Sequence, residues 1–271
     1  NLVYDEYDEI AIYRLLSRSV YRVNLEVQYL SKDVFIDVMN KNFDITSSSS
    51  ESSQWKVFLE GEADAWFFRN HSSVGISPAR QLLCEWCNPH KKDVGKILEI
   101  GAGNGIPLAY ICNVLDAQGI GIEPSHKAVE NWSLIRGDIV GGASTSLRVG
   151  LANEIPFEDK SFDLVIFGFC LYLVDRSLLY RAIAEADRVL RDGGFLGIED
   201  FDSPSPMSNK YCHKEGILSY KSDYSNIFTS SGHYHLISKH SYSLAANHFD
   251  ANFDERVSLS LLYKQENAVY T

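Results

Sequence analysis

The sequence is poor in positive charge. Its 36 acidic residues outnumber 25 lysines and arginines, for a formal net charge of −11, and its longest basic run is His90-Lys91-Lys92. A protein that grips nucleic acid neutralises phosphates with a basic patch, so nucleic acid is not the expected partner. Long hydrophobic runs are missing as well. No stretch approaches the ~20 apolar residues of a membrane span, and no signal-peptide pattern stands at the start of the given sequence, which begins at Asn1 without a Met. No membrane partner is expected. Cysteine is scarce and odd in number: Cys84, Cys87, Cys112, Cys170 and Cys212 are scattered, which argues against a disulfide framework and for a reducing, cytoplasmic setting. Cys84 and Cys87 with His90 have metal-like spacing, but a structural zinc needs a fourth ligand and none is nearby. They are expected to be two helix cysteines at i, i+3, with no metal. The sequence also has no internal repeat.

What is present suits a folded chain of ordinary composition. Its 271 residues are 45% hydrophobic and 12% aromatic, enough for one large domain or one domain and an appendage. A serine-rich stretch, Thr46-Ser-Ser-Ser-Ser-Glu-Ser-Ser53, reads as flexible linker. The expected organisation is therefore an N-terminal extension over 1–46, a linker over 47–53 and a main domain over 54–271. In the extension, Ile12, Leu15, Leu16 and Val20 predict a helix over 8–20. Alternation of Val23, Leu25, Val27 and Tyr29 with polar residues predicts a strand. A small cap or a self-association contact is the expected role of this extension.

Residues 96–111 carry the most information. Ile97, Leu98 and Ile100 form a short apolar run, broken by Glu99, that enters Gly101-Ala-Gly103-Asn-Gly105 and then a helical pattern with Pro107 in its first turn. This is a strand, a glycine turn and a helix start. The dinucleotide fingerprint wants a third glycine three places after the second, and that place is Ile106. Glu99 would repel a pyrophosphate but suits an ammonium group. The next strand, Gly119-Ile-Gly-Ile-Glu123, ends in an acid 22 residues after Gly101 (123 − 101), about the spacing of a ribose-binding acid. The implied ligand is a nucleoside with a cationic, phosphate-free tail, a description that S-adenosylmethionine fits.

Here the sequence resembles the class I S-adenosylmethionine-dependent methyltransferases. The carrying residues are Leu98-Glu-Ile-Gly-Ala-Gly-Asn-Gly105, Gly121-Ile-Glu-Pro-Ser125, Ala152-Asn-Glu-Ile-Pro-Phe157, Ser161-Phe-Asp-Leu-Val-Ile166 and Arg188-Val-Leu-Arg-Asp-Gly-Gly-Phe195. The resemblance spans about residues 55–265. It implies an α/β fold: a Rossmann-like sheet, mostly parallel, with a C-terminal antiparallel hairpin and helices on both faces. Strands are expected near 96–101, 119–123, 147–150, 162–169, 193–201, 234–244 and 255–264. Helices are expected over 55–70, 79–87, 106–116, 125–135, 175–190 and 220–231, with Asp175 as a cap.

The resemblance also implies a cofactor site. S-adenosyl-L-methionine is the expected cofactor, with S-adenosyl-L-homocysteine as product. Gly101, Ala102, Gly103, Asn104 and Gly105 are expected to line the methionine and ribose, with Glu99 by the ammonium group. Glu123 is expected to hold the ribose hydroxyls, and Pro124 and Ser125 to pack by the adenine. Relatives have an acid where Leu151 stands, so Ala152 with Asn153 or Glu154 is expected to take over adenine recognition. Phe169, Cys170 and Tyr172 are expected where the chain crosses beneath the cofactor. Gly61-Glu-Ala-Asp-Ala-Trp-Phe-Phe-Arg-Asn70 resembles a signature of bacterial methyltransferases, several linked to cell-surface sugar pathways, and places Arg69 near the cofactor carboxylate.

Methyl transfer from a sulfonium needs alignment, exclusion of water and often removal of a proton. Candidate catalytic residues are Tyr172, Asp200, Asp202 and His213, with Glu199 and Asp223 as further acids in the same region. The expected function is methylation of an O or N atom of a small molecule, such as a sugar or secondary metabolite. The alternative is an inactive cofactor-binding paralogue, and a Rossmann oxidoreductase is disfavoured by Glu99 and Ile106.

Overall fold

The computed structural model describes residues 9–12, 28–31, 53–246 and 248–266. Its contacts divide the chain into two units, Asn1–Glu51 and Ser52–Thr271. In the first, β1 (Glu9–Ile12) pairs antiparallel with β2 (Gln28–Ser31). The helix expected over 8–20 is thus corrected over 9–12, where β-branched Ile10 and Ile12 stand two apart, the period of a strand. The strand expected over 23–29 overlaps β2 at its end, and the rest of both expectations lies outside the described residues.

The second unit is built on seven strands: β3 (Lys96–Ile100), β4 (Gln118–Glu123), β5 (Thr145–Val149), β6 (Phe162–Gly168), β7 (Leu190–Phe201), β10 (Tyr234–Ser243) and β11 (Arg256–Lys264). Their order is β10-β11-β7-β6-β3-β4-β5. Strands β3 to β7 are mutually parallel, while β11 runs antiparallel to both β7 and β10. The sheet is Rossmann-like and carries the expected C-terminal antiparallel hairpin.

Both faces of the sheet are covered, so its central strands read as nearly continuous apolar runs. Ile97, Leu164 and Ile166 pack with α3 (Pro78–Cys87), α4 (Ile106–Leu115) and Trp132 of α5 (His126–Ile135). Leu98, Ile100, Val165 and Phe167 pack on the other face with α6 (Leu179–Val189) and Phe228 of α7 (Ser225–Thr229). The chain goes from β3 out to β4 and β5, then returns to β6 on the opposite side of β3. That reversal opens a crevice beyond the carboxyl ends of β3 and β6, where ligands bind in open α/β sheets. Among the described residues no helix is long and apolar enough to cross a membrane.

Three local expectations are corrected. The helix over 55–70 is broken into α1 (Gln54–Val57), a π-helical turn (Phe58–Glu62) and α2 (Ala63–Asn70). Gly61, at φ 151, takes a conformation that side-chain-bearing residues avoid. The helix over 220–231 gives way to a hairpin, β8 (Met207–Lys210) with β9 (Leu218–Lys221), followed by the short α7. In β9 the buried positions are Ser219 and Lys221 while Leu218 is exposed, so the usual apolar-in pattern is inverted. Asp175 does not cap α6, which starts after Leu178 without a side-chain cap; it accepts hydrogen bonds from Ser177 and from the Gln54 backbone N–H instead (3.1 Å).

Candidate cofactor and acceptor site

The chain leaves β3 through Gly101, Gly103 and Gly105, all at positive φ (77°, 54° and 79°). Gly101 and Ala102 N–H groups both donate to the Ile122 carbonyl on β4 (2.8 and 3.2 Å), which fixes the turn at the sheet's carboxyl edge. A side chain on Gly103 would point toward the Trp66 ring of α2, 3.7 Å away. Two cavities meet at this point. Their shared wall is Trp66, Gly101, Gly103, Gly168 and Phe169. Phe169 holds φ +56, a strain of order 1 kcal/mol for a side-chain-bearing residue. Its N–H donates to the Glu199 carbonyl (2.9 Å) and its ring packs on Tyr172 and Phe201.

The first cavity reaches Glu123, Pro124, Leu151, Ala152 and Asn153. Glu123 is buried and accepts hydrogen bonds from the Gly103 N–H (2.9 Å) and the Ser125 N–H (3.0 Å). Burial nonetheless pushes its carboxyl up to about 7. Each oxygen keeps a free lone pair, so the group can receive a vicinal diol. Asn153 is buried and its Nδ2 has no partner. It stands two residues past Leu151, with a donor and an acceptor suited to a base edge.

The second cavity takes in Ala102, Glu99, Arg80 and the loop 73–77. Arg80 is buried between two carboxylates: Nη2 lies 2.7 Å from Glu99 and Nε 2.9 Å from Glu199. Tyr242 donates to Glu199 (2.8 Å) and Ser77 also reaches it (3.4 Å). Burial raises the Glu99 carboxyl above its usual range, against the attraction of Arg80. Arg80 Nη1 and Glu99 Oε2 are buried without partners. A spare cationic donor and a spare carboxylate oxygen side by side match an α-amino acid end, carboxylate to Arg80 and ammonium to Glu99.

Arg80 was not foreseen. The signal was there: positions 80, 83, 84 and 87 form the buried stripe of α3, and an arginine on such a stripe needs a partner or a ligand.

Other sequence-predicted residues hold the site from outside. Asn104 Nδ2 donates to the His71 and Val74 carbonyls (3.0 and 2.8 Å), tying the loop after α2 to the glycine turn. Gly105 lies against Trp132. Ser125 caps α5 and donates to Asp64 of α2 (2.7 Å). Cys170 lines the first cavity, where its thiol donates to the Ile100 carbonyl (3.2 Å). Arg69 lines neither cavity: it is held by Glu62 and by the Tyr211 hydroxyl (3.3 Å) on the β8–β9 hairpin.

The candidate acids and bases separate in the same way. Tyr172 lines the first cavity, as does Trp66. Burial and neighbouring acids raise its hydroxyl well above the ordinary range, so it stays a neutral donor. Asp200 lies beneath the cavity and accepts from the Leu171, Tyr172 and Phe201 N–H groups (2.8, 3.3 and 2.8 Å). It positions the turn that carries Tyr172. Asp202 is engaged by Lys239, Ser241 and Arg256 (2.8, 2.7 and 3.2 Å), which hold its carboxyl low against the opposing effect of burial. His213 is exposed, edge-on to Tyr211. Neither Asp202 nor His213 lines either cavity, because ion pairs claim the first and the hairpin turn carries the second outward.

A family profile described as a methyltransferase domain matches residues 98–198, from β3 to β7. Over this stretch the chain is similar to the class I S-adenosylmethionine-dependent methyltransferases. Among curated relatives it is 36% identical over 111 residues to the 27-O-demethylrifamycin SV methyltransferase of Amycolatopsis mediterranei, covering 39% of this chain and 38% of that one. It is 32% identical over 105 residues to the O-methyltransferase resE of Aspergillus sclerotiorum, covering 38% and 39%. These matches span well under half of either relative's length. A solved Burkholderia thailandensis 1,6-didemethyltoxoflavin-N1-methyltransferase, with 1,6-didemethyltoxoflavin and S-adenosylhomocysteine bound, has the same fold. The TM-score is 0.57 at 13% identity, over 95% of this chain and 100% of that one.

The residues at the junction fit the methyltransferase cofactor: the unpartnered Arg80, Glu99 and Asn153 atoms and the bare Gly103 backbone would hold its amino-acid end, base and ribose. Glu123 makes the fit testable by pH. A ribose diol donates to the ionised carboxylate, so S-adenosylhomocysteine should bind about tenfold more tightly at pH 8 than at pH 5.5. Glu123→Gln should flatten that dependence in calorimetry. A wild-type affinity that does not change with pH would exclude Glu123 from the contact.

Proposed function

We propose that this methyltransferase moves the methyl group of S-adenosylmethionine to an O or N atom of a small molecule. The carrying observation is the meeting of two cavities at Trp66, Gly103 and Phe169, one equipped for a nucleoside and the other for an α-amino acid. When bound, the cofactor supplies a methyl already activated by positive charge on sulfur. Arg80 and Glu99 anchor the amino-acid end and Glu123 the ribose. Trp66 and Phe169 offer ring faces that suit a cation and keep water from the junction. Tyr172 directs its hydroxyl hydrogen to the acceptor. A secondary-metabolite acceptor is supported by the rifamycin methyltransferase among the relatives. A reducing, cytosolic setting is part of this reading, supported by five unpaired cysteines.

The test is calorimetry followed by turnover. S-adenosylhomocysteine should bind in the micromolar range and NAD should bind at least a hundredfold more weakly. Tighter binding of NAD would defeat the reading, and cofactor binding without methylation of any acceptor would favour an inactive paralogue.

A further inference from the structure

The first cavity extends past the nucleoside residues. Its wall there includes Trp55, Phe58, Trp66, Tyr172, Leu173 and Asp175. Trp55, Phe58 and Tyr172 line the cavity and are each less than a tenth exposed. Polar groups are few on this side. Asp175 already accepts from Gln54 N–H and from Ser177 N–H and hydroxyl (3.1, 3.0 and 2.7 Å). The Trp66 indole N–H and the Tyr172 hydroxyl are the neutral side-chain donors on this wall. Among the described residues no lysine or arginine lines this cavity.

We propose that the acceptor is a flat, mostly apolar phenol or enol that brings its own ionised oxygen, seated against Trp55, Phe58, Trp66, Tyr172 and Leu173. The inference rests on the methyltransferase reading above. Stacked rings favour a planar framework, while a sugar presents several hydroxyls that this wall cannot satisfy. Neutral N–H and O–H donors suit an oxyanion better than an amine. The titratable groups lining the cavity are Glu123, Cys170, Tyr172 and Asp175. Behind Tyr172 stand Asp200 and Tyr211. Glu123 faces the ribose, burial keeps the Cys170 thiol and the Tyr172 hydroxyl protonated, and Asp175 is engaged by α1 and its own turn. None is a free base, so the acceptor oxygen attacks the methyl carbon as an anion. The carbon–oxygen bond forms as the carbon–sulfur bond breaks, its electron pair neutralises the sulfonium, and the proton leaves to solvent before transfer.

The purified chain is first titrated with S-adenosylhomocysteine, then supplied with S-adenosylmethionine and one of four acceptors: 7-hydroxycoumarin, the less acidic 2-naphthol, methyl glucoside or benzylamine. The expected result is methylation of 7-hydroxycoumarin at least tenfold faster than 2-naphthol at pH 7, with neither of the other two turned over. The midpoint of the pH–rate profile should differ between the two phenols and follow each one's own ionisation. Trp55→Ala should raise KM for 7-hydroxycoumarin about tenfold and change S-adenosylhomocysteine affinity less than twofold, with Trp55→Phe in between. Tyr172→Phe should lower kcat about tenfold and leave the kcat/KM midpoint, which reports the free phenol, unmoved. One midpoint shared by both phenols would mean an enzyme base and overturn the proposal. So would turnover of the glucoside or amine in place of phenols, or cofactor binding with no phenol methylated. Failure to bind S-adenosylhomocysteine would instead overturn the methyltransferase reading itself.

Discussion

Arg80→Met is expected to destabilise the protein by about 3–5 kcal/mol, because it strips the cation from two buried carboxylates. Glu99 and Glu199 both contact Arg80 at ion-pair distance and all three side chains are less than a tenth exposed. Left alone, the carboxylates would repel each other in a poorly solvated site, and at least one would take up a proton. The midpoint of thermal unfolding should fall by about 10 °C for a domain of this size. Adding Glu99→Gln and Glu199→Gln should restore most of the lost stability, since the residual penalty is charge and not volume. The triple variant should still bind S-adenosylhomocysteine at least a hundredfold more weakly, because the amino-acid end has lost both partners. Arg80→Met with unchanged stability would mean the carboxylates are solvated in ways the burial of the triad excludes. A triple variant with native affinity would remove this triad from the cofactor site.

Much of this site could be read from sequence because its parts are local. The glycine turn, Glu99 before it and Glu123 at the end of the next strand are set by backbone geometry within one strand–turn–helix–strand unit, and each leaves a spacing. The seven-stranded sheet was legible for a similar reason: strands buried on both faces have little freedom of composition. What escaped was tertiary. Arg80 is recognisable only once α3 is known to lie against β3 and β7, where Glu99 and Glu199 await it. The roles expected of Arg69, Asp202 and His213 depended on which face of a segment meets the cavity. Partners distant in sequence decided that: Tyr211 for Arg69, and Lys239 and Arg256 for Asp202. The β8–β9 hairpin was missed because its buried residues are Ser219 and Lys221, the latter ion-paired with Asp254 (3.1 Å). Hydrophobic periodicity cannot report a strand whose inward face is polar.

The glycine turn allows fold and function to be separated by single methyl groups. A Cβ at Gly105 would lie 2.7 Å from the ring of Trp132, which is itself fully buried in the core between α4 and α5. The ring has nowhere to go, and φ +79 adds left-handed strain. Gly105→Ala should therefore cost about 3 kcal/mol or more and lower the yield of folded protein. A Cβ at Gly103 meets nothing closer than 3.7 Å, so Gly103→Ala carries only the backbone strain, about 1–2 kcal/mol. Its methyl group would occupy the junction between the two cavities, where the cofactor backbone must pass close to the bare chain. Gly103→Ala should accordingly fold, with native near-ultraviolet circular dichroism, and lose about a hundredfold in S-adenosylhomocysteine affinity, ~2.7 kcal/mol. Gly137→Ala, where an added Cβ meets nothing within 4 Å, serves as the control and should match wild type in both measurements. If Gly103→Ala kept native affinity while Gly105→Ala failed to fold, the turn would be a structural corner only, and the cofactor would have to lie away from the junction of the two cavities.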